Sequence, residues 1–130
     1  MKTSELKGMA LDWAVAKAGG SEICYFLDDP FGNDPWLTKD GLPDQPLHSY
    51  TPSLNWVQGG LIIEREKLGV WFSENSVDEE GNLLGVAEWY AEDKGGDHVR
   101  TGATPLIAAM RCYVSSKLGD EIEIPEEIGG

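Results

Sequence analysis

The spacing of apolar side chains along the chain predicts three helices, each with recognisable end signals. Ser53 and Thr104 have side chains that cap helix N-termini, and Pro105 suits the first helical turn after Thr104. Gly19-Gly20 and Gly119 follow apolar stretches at the places where glycine commonly ends a helix. Between these signals, apolar residues recur at the period of a helix with one buried face. The predicted helices span residues 4–18, 53–67 and 104–118.

Shorter runs of β-branched and aromatic residues predict strands between the helices. Residues 23–27 form one such run. Residues 70–73 and 83–90 flank an acidic segment that contains glycine, which is the pattern of a β-hairpin. The tail at 121–124 alternates charged and apolar residues and indicates an additional edge strand. Together these elements predict an α+β fold with three helices packed on a small, mainly antiparallel β-sheet.

Proline and glycine mark the segments that we expect outside regular structure. Residues 28–52 contain five prolines, and because proline fixes φ and lacks an N–H donor, we expect no helix or strand there. Gly95-Gly96 and Gly102 indicate a mobile loop before the third helix. Gly59-Gly60 lies inside the second helix, where glycine is unfavourable, so we expect a neighbouring backbone to pack closely against it.

The length and the charge of the chain limit the class of protein. Its 130 residues match a single domain spanning 1–130. Lys and Arg number 10 against 23 Asp and Glu residues, which gives a formal net charge of −13. This charge repels phosphate backbones and anionic lipid headgroups, so we expect neither direct nucleic-acid binding nor membrane binding. The charge serves solubility, or it attracts a basic protein partner.

The use of cysteine predicts a reducing, cytoplasmic location. Cys24 and Cys112 are far apart and lack metal-ligand spacing, so two reduced thiols are the simplest interpretation. The sequence contains no recognisable targeting segment and no apolar run of the ~18 residues that a membrane span requires. We therefore expect a soluble protein of the cytoplasm.

The sequence predicts no catalytic set, no metal site and no cofactor. His48 and His98 lie in predicted loops without a nucleophile motif. Asp93 and Asp97 flank the second histidine, but we expect them to be solvated rather than to ligate a cation. Glycine motifs that bind phosphate are also missing from the sequence.

What the sequence does offer is a group of residues suited to bind a small ligand. The N-termini of the second and third helices present free amides and a dipole that favour negative charge, and aromatic rings lie close by in sequence. The alternative is that the capping residues satisfy only their own helices, and that Trp56 and Trp71 belong to the core. The candidate ligand-binding residues are Tyr50, Thr51, Ser53, Trp56, Gln58, Thr104 and Arg111.

Several segments of the sequence carry a resemblance to a known phage family. They read LDWAVAKA at 11–18, YTPS at 50–53, WVQGGLIIERE at 56–66, PLIAAMRCYV at 105–114 and KLGDEIEIP at 117–125. In these segments the chain resembles the NinX family of lambdoid bacteriophages. The resemblance implies a phage or prophage accessory protein in the bacterial host cytoplasm, with helices packed around an antiparallel sheet. It implies no reaction, and it does not extend to residues 28–49 or to the turn of the predicted hairpin.

Three functions follow as hypotheses. The first is a non-catalytic accessory protein that binds a host factor or a small nucleotide-like ligand, in one form sequestering a host immune signal. The second is an acidic protein–protein interaction module that targets a host protein. The third is an undetected enzyme that acts on nucleotides through Arg111, His48 and acidic residues. We also expect a homo-oligomer, because exposed Trp or Ile surface would be buried in it.

Overall fold

The computed structural model describes residues 1–24, 35–74, 79–82 and 87–128 of the chain. Within these ranges it contains three α-helices, α1 (Gly8–Ala18), α2 (Trp56–Glu66) and α3 (Pro105–Leu118). The first antiparallel sheet consists of β1 (Ile23–Cys24), β2 (Trp36–Lys39) and β3 (Leu42–Pro46). The second consists of β4 (Gly69–Ser73), β5 (Glu88–Glu92) and β6 (Val99–Gly102). The predicted α+β class is confirmed, although the strands form two small sheets rather than one.

The central element of the core is α3. It packs against all three strands of the second sheet on one side and against α1 and α2 on the other. A helix enclosed on several sides is expected to be apolar around its circumference, and α3 fits that expectation. The α3 residues that are at most 3% exposed are Leu106, Ala108, Ala109, Met110, Cys112, Tyr113, Val114 and Ser115.

Polar contacts at the end of α3 join the two ends of the described chain. The Thr3 hydroxyl is within 2.8 Å of the Ser115 hydroxyl and donates to the carbonyl of Gly119 at 2.9 Å. A single β-bridge pairs Lys2 with Glu121. The edge strand predicted for 121–124 is therefore wrong, because only one residue of the tail pairs with another strand position.

The predicted third helix is confirmed at both ends, but the starts of the other two helices differ from the prediction. A short 3₁₀ turn at Thr3–Glu5 precedes α1, so that helix begins four residues later than predicted. The cap of α2 is Asn55, whose Oδ1 accepts from the N–H of Val57 at 2.9 Å, and not Ser53. Asparagine and serine both cap helices well, so the pattern alone did not decide between them.

The absence of regular structure predicted for 28–52 is wrong between residues 36 and 46. β2 and β3 form a hairpin whose turn is Asp40-Gly41, with φ values of 55° and 81°. An Asp-Gly pair is a strong hairpin signal because it tolerates positive φ. Pro43 and Pro46 do not prevent pairing, because β3 is an edge strand and one side of its backbone needs no partner. Residues 28–34 of this segment, and residues 25–27 of the predicted strand, lie outside the described residues.

In the second sheet, the predicted antiparallel pairing of the hairpin strands is confirmed, and the predicted loop before the third helix is wrong in part. β4 and β5 are antiparallel, with Val70 opposite Ala91, whereas residues 83–86 of the predicted partner strand are outside the described residues. The loop predicted from Gly95-Gly96 lies between β5 and β6, but Gly102 belongs to β6 and pairs with Trp89. A strand glycine weakens pairing, yet here it allows α3 to approach the sheet.

Three tryptophans of the described residues differ in burial. Trp13 on α1 is 6% exposed and belongs to the core. Trp56 is 58% exposed and Trp71 is 40% exposed, so the interpretation that they belong to the core is wrong. Both side chains are thereby left available for contacts outside the fold.

The close packing predicted at the glycine pair of α2 is confirmed for Gly59. A Cβ added there would overlap the carbonyl oxygen of Pro52 and lie 2.7 Å from Cδ2 of Leu106. At Gly60 the nearest atom to such a Cβ is Cε3 of Trp56, at 4.0 Å. Thus only the first glycine is required by the crossing of α2 with its neighbours.

This difference predicts opposite effects for two neighbouring substitutions. Gly59→Ala is expected to lower the free energy of unfolding by about 1–3 kcal/mol, because backbone cannot move away as a flexible side chain can. Gly60→Ala, the matched control, should raise it by up to ~1 kcal/mol because alanine favours the helix and meets no obstacle. Urea unfolding followed by tryptophan fluorescence measures both. Equal effects of the two substitutions would contradict the packing described here.

Candidate functional site

A half-open groove with a volume of about 410 Å³ lies between α1, α2 and the β2–β3 hairpin. We call it the hairpin groove. Its base is apolar, formed by the buried side chains of Val15, Ala16, Leu37 and Ile62. The polar side chains that line it are Ser21, Lys39, Asp44, Gln45, Tyr50, Gln58, Arg65 and Tyr113. An apolar base with a few convergent polar groups is the usual composition of a small-molecule site.

Arg65 and Tyr113 meet in the groove. Nη2 of Arg65 on α2 donates to the hydroxyl of Tyr113 on α3 at 3.1 Å, and the guanidinium carbon lies 5.7 Å from the centre of the tyrosine ring. Tyr113 is 2% exposed, so its ring is fixed by the core. The Arg65 side chain is 58% exposed, and its Nε lies 3.7 Å from Oε1 of Glu66. The guanidinium thus contacts both Tyr113 and Glu66 and keeps further N–H donors for other partners.

The two tyrosine hydroxyls of the groove keep their protons at neutral pH. Burial raises the pKa of Tyr50 to about 12, with a further contribution from Tyr113, while the charge of Arg65 opposes the shift. Burial also raises the pKa of Tyr113, again opposed by Arg65. Both groups are therefore neutral hydroxyls that can donate or accept a hydrogen bond.

Gln45 brings an unused donor to the groove. Its Nε2 is buried and, among the described residues, has no hydrogen-bond partner. A buried polar group without a partner costs about 1–3 kcal/mol, so such groups usually have a reason. Because the Gln45 side chain lines the groove, a rotation that exposes Nε2 would let an acceptor atom of a bound molecule satisfy it.

The charges of the groove differ from those of the chain as a whole. Lys39 and Arg65 contribute two cations and Asp44 contributes one carboxylate, although acidic residues outnumber basic ones more than twofold in the sequence. The remaining polar groups are neutral donors or hydroxyls. The groove therefore favours a ligand that is rich in acceptors and carries negative charge.

The structure brings Tyr50 and Gln58 together at this groove, as the sequence predicted for a single site. The side chain of Gln58 fixes the loop before α2: its Oε1 accepts from the N–H of Thr51 at 2.7 Å, and its Nε2 donates to the carbonyl of Ser49 at 3.1 Å. Both polar atoms of the Gln58 side-chain amide therefore have hydrogen-bond partners. Gln58 and Thr51 position the loop that carries Tyr50.

Ser53 and Thr104 lie elsewhere and satisfy local structure. Ser53 is 2% exposed, and its N–H donates to Oδ1 of the buried Asp12 at 2.9 Å. The hydroxyl of Thr104 accepts from the N–H of Ile107 at 3.1 Å, which is an ordinary helix cap. The Thr104 contact agrees with the alternative stated above, in which a cap serves its own helix, whereas Ser53 caps no helix and joins the loop before α2 to α1.

Arg111 and Trp56 are also distant from the groove. Nε of Arg111 donates to the carbonyl of Leu6 at 2.7 Å and its Nη1 to that of Thr101 at 2.9 Å, and burial lowers the pKa of the guanidinium. This side chain joins the N-terminal segment to β6. Trp56 at the start of α2 is exposed, as are its neighbours Leu54 and Val57, and the expected homo-oligomer stays a prediction.

Three residues of the hairpin groove are absent from the candidate ligand-binding residues that were chosen from the sequence. Arg65 lies two turns after Gln58 on α2, so helical periodicity places both on one face and would have found it. Tyr113 lies within the predicted third helix, but nothing in the sequence indicated that its hydroxyl reaches a groove. Gln45 lies in the proline-rich segment, and the hairpin that points it inwards was not predicted.

The histidines and cysteines form no nucleophilic pair in the described part of the chain. Nδ1 of His98 lies 2.8 Å from Oδ2 of Asp93, and this hydrogen bond lowers the pKa of Asp93. Burial raises the pKa of Cys112 to about 11, so the thiol stays protonated and unreactive. Among residues 1–24, 35–74, 79–82 and 87–128, no cluster of three His, Cys, Asp or Glu side chains could hold a metal ion.

The fold and the groove define a small α+β protein with a ligand-sized depression framed by all three helices and a hairpin. The family described as "Bacteriophage P22, NinX" matches residues 2–117, so the chain belongs to the NinX family. All residues of the hairpin groove lie inside the matched range. No curated protein matches the chain. In the described residues, no helix is long and apolar enough to cross a membrane.

The buried carboxyl of Asp12 predicts a specific pH dependence of stability. Burial raises its pKa, and the hydrogen bonds from Ser53 only partly oppose the shift. Because the folded-state pKa is above the unfolded value of about 4, the proton favours the folded state. That contribution is complete below the unfolded pKa and is lost as the pH rises through the folded one.

Asp12→Asn keeps the oxygen that accepts from Ser53 and removes the titration. We therefore expect the unfolding free energy of the variant, relative to that of the unmodified protein, to increase from acid to neutral pH. Urea denaturation at a series of pH values measures this difference. A difference that decreases towards neutral pH would mean that the hydrogen bonds from Ser53 outweigh burial.

Proposed function

We propose that this NinX-family protein is a phage accessory protein that binds a small anionic, nucleotide-like molecule in the hairpin groove. It does so as a non-catalytic binding protein in the cytoplasm of the bacterial host. The observation that carries the proposal is the buried Nε2 of Gln45, which has no partner among the described residues and belongs to a side chain that lines the groove.

The donors around this nitrogen support a ligand with negative charge. Arg65 has a guanidinium held against Tyr113, and Lys39 provides a second cation. A fixed guanidinium binds a carboxylate or phosphate more strongly than a mobile one, because less side-chain freedom is lost. The single carboxylate of the lining, Asp44, suits a ribose hydroxyl or another donor of the ligand.

The size and the base of the groove support a nucleotide-like molecule. A volume of about 410 Å³ lies within the range of ordinary small-molecule pockets, roughly 300–1,000 Å³. The apolar base accommodates a flat ring, and the partly buried ring of Tyr50 offers a face for stacking. The tyrosines stay neutral at physiological pH, which suits holding a ligand rather than transferring protons.

Gln45→Leu is expected to increase the stability of the free protein and to weaken its binding of the ligand. Removing the unpaired donor should raise the unfolding free energy of the free protein by about 1 kcal/mol, because a buried polar group without a partner is replaced by an apolar one. The same substitution should weaken ligand binding at least tenfold. The measurement is thermal unfolding with and without nucleoside monophosphates, cyclic dinucleotides and inorganic phosphate, followed by calorimetry on those that stabilise the protein.

Arg65→Gln and Lys67→Gln form a matched pair, because each removes one positive charge at the end of α2. Only Arg65 lines the groove. Ligand binding should be lost in Arg65→Gln and retained in Lys67→Gln. Equal losses in both variants would indicate nonspecific attraction of anions, and no stabilisation of the unmodified protein by any compound would overturn the proposal.

A further inference from the structure

The second sheet has one face towards the core and one face towards solvent. Val70 and Ala91 are directly opposite each other on β4 and β5, and both belong to the core that packs against α3. Because side chains alternate along a strand, the neighbouring pair, Trp71 and Tyr90, points to the opposite side. We call this side the outer face. Its strand positions are Gly69, Trp71, Ser73, Glu88, Tyr90, Glu92, Val99 and Thr101.

Two aromatic rings are stacked at the centre of the outer face. The ring centres of Trp71 and Tyr90 are 5.6 Å apart, with an angle of 13° between the ring planes. Trp71 is 40% exposed, although a tryptophan on a sheet is usually covered when nothing binds it. The pair therefore presents a rigid aromatic surface to solvent.

Carboxylates lie on both sides of this aromatic pair. Glu88 and Glu92 are two residues before and two residues after Tyr90 on β5, so both point to the outer face at roughly 7 Å along the strand. Neither forms an ion pair with another described residue. The strand positions of the outer face include no Lys or Arg.

We propose that the outer face binds an arginine-bearing basic segment of another protein. A guanidinium stacks on tryptophan and tyrosine rings, and it forms paired hydrogen bonds with a carboxylate. The outer face offers both kinds of group within one side-chain length. The net charge of −13 attracts such a segment from a distance.

The same charges disfavour other occupants. A nucleic acid would stack its bases on the rings, but its phosphates would meet Glu88 and Glu92 without a compensating cation at the outer-face strand positions. A second copy of this chain would bring two carboxylate-bearing faces of the same sign together. A purely apolar partner would bury both carboxylates without an ion pair, which is costly.

The test is titration of the full chain with a short synthetic peptide of alternating arginine and serine, followed by tryptophan fluorescence and by amide NMR shifts. We expect binding at low salt that weakens as salt is added, with the largest shifts in β4 and β5. Trp71→Thr should weaken the binding roughly fivefold through loss of the stacked ring.

Two charge variants keep the test decisive if Trp71→Thr does not fold. Glu88→Gln with Glu92→Gln should weaken peptide binding and reduce its salt dependence. Glu121→Gln with Glu123→Gln removes the same charge from the exposed tail and serves as the matched control. Equal weakening by both pairs, or shifts spread over the whole surface, would overturn the proposal.

Alternative occupants are tested in parallel on the same samples. Tighter binding of a single-stranded oligonucleotide than of the peptide would overturn the proposal, as would dimers that the Glu88 and Glu92 substitutions strengthen. Arg65→Gln should leave peptide binding unchanged, because that residue lies in the hairpin groove. The failure of one proposal is therefore distinguishable from the failure of the other.

Discussion

The structure depends on the enclosure of α3, which contacts the second sheet, α1 and α2 at the same time. Small residues make this enclosure possible. Ala108 and Ala109 are fully buried, and a Cβ at Gly102 on β6 would lie 2.7 Å from the backbone nitrogen of Ala108. The sheet and the helix therefore meet through backbone contacts, which leave little room for larger side chains.

The enclosure of α3 also creates the candidate site. Tyr113 extends from the buried helix to the hairpin groove, where its hydroxyl receives the hydrogen bond from Arg65. The same core contact fixes α2 against α3 and thereby fixes the guanidinium. A site supported in this way loses little freedom when a ligand binds. Gln45 reaches the groove from the other side, on a hairpin that packs on the core through Leu37.

The two proposed surfaces have opposite electrostatic character. The hairpin groove concentrates donors and two cations in an acidic protein, whereas the outer face carries aromatic rings and unpaired carboxylates. They lie on different elements, α1, α2 and β2–β3 for the groove and β4–β6 for the face. The two proposed binding sites therefore share no residue, and the two proposed ligands do not compete for the same side chains.

The sequence predicted the helices and the class of fold because periodicity and end signals are local. It placed α3 correctly from Thr104-Pro105 and Gly119, and it recognised the close approach at Gly59. It missed the β2–β3 hairpin because prolines outweighed the Asp40-Gly41 turn signal. The exposed positions of Trp56 and Trp71 were also missed, since burial of a single aromatic residue depends on neighbours that are remote in sequence.

The candidate site, too, depends on neighbours that are remote in sequence, so the sequence could predict only part of it. Tyr50 and Gln58 were found because they are close in sequence and suited to binding. Tyr113 and Gln45 join them only through tertiary contacts, and a donor without a partner is visible only in a structure. Arg111 was chosen as a rare cation, but its contacts with Leu6 and Thr101 show a structural use.

The most direct measurement is native mass spectrometry of the protein and of Gln45→Leu, both purified from bacterial cells and then supplied with the same nucleotide mixture. The account predicts that the unmodified protein carries a small anionic molecule, and that the variant, although folded, does not. If the unmodified protein retains no compound from the cells or the mixture, or if the variant retains it equally well, the claim that the hairpin groove is a ligand site is contradicted.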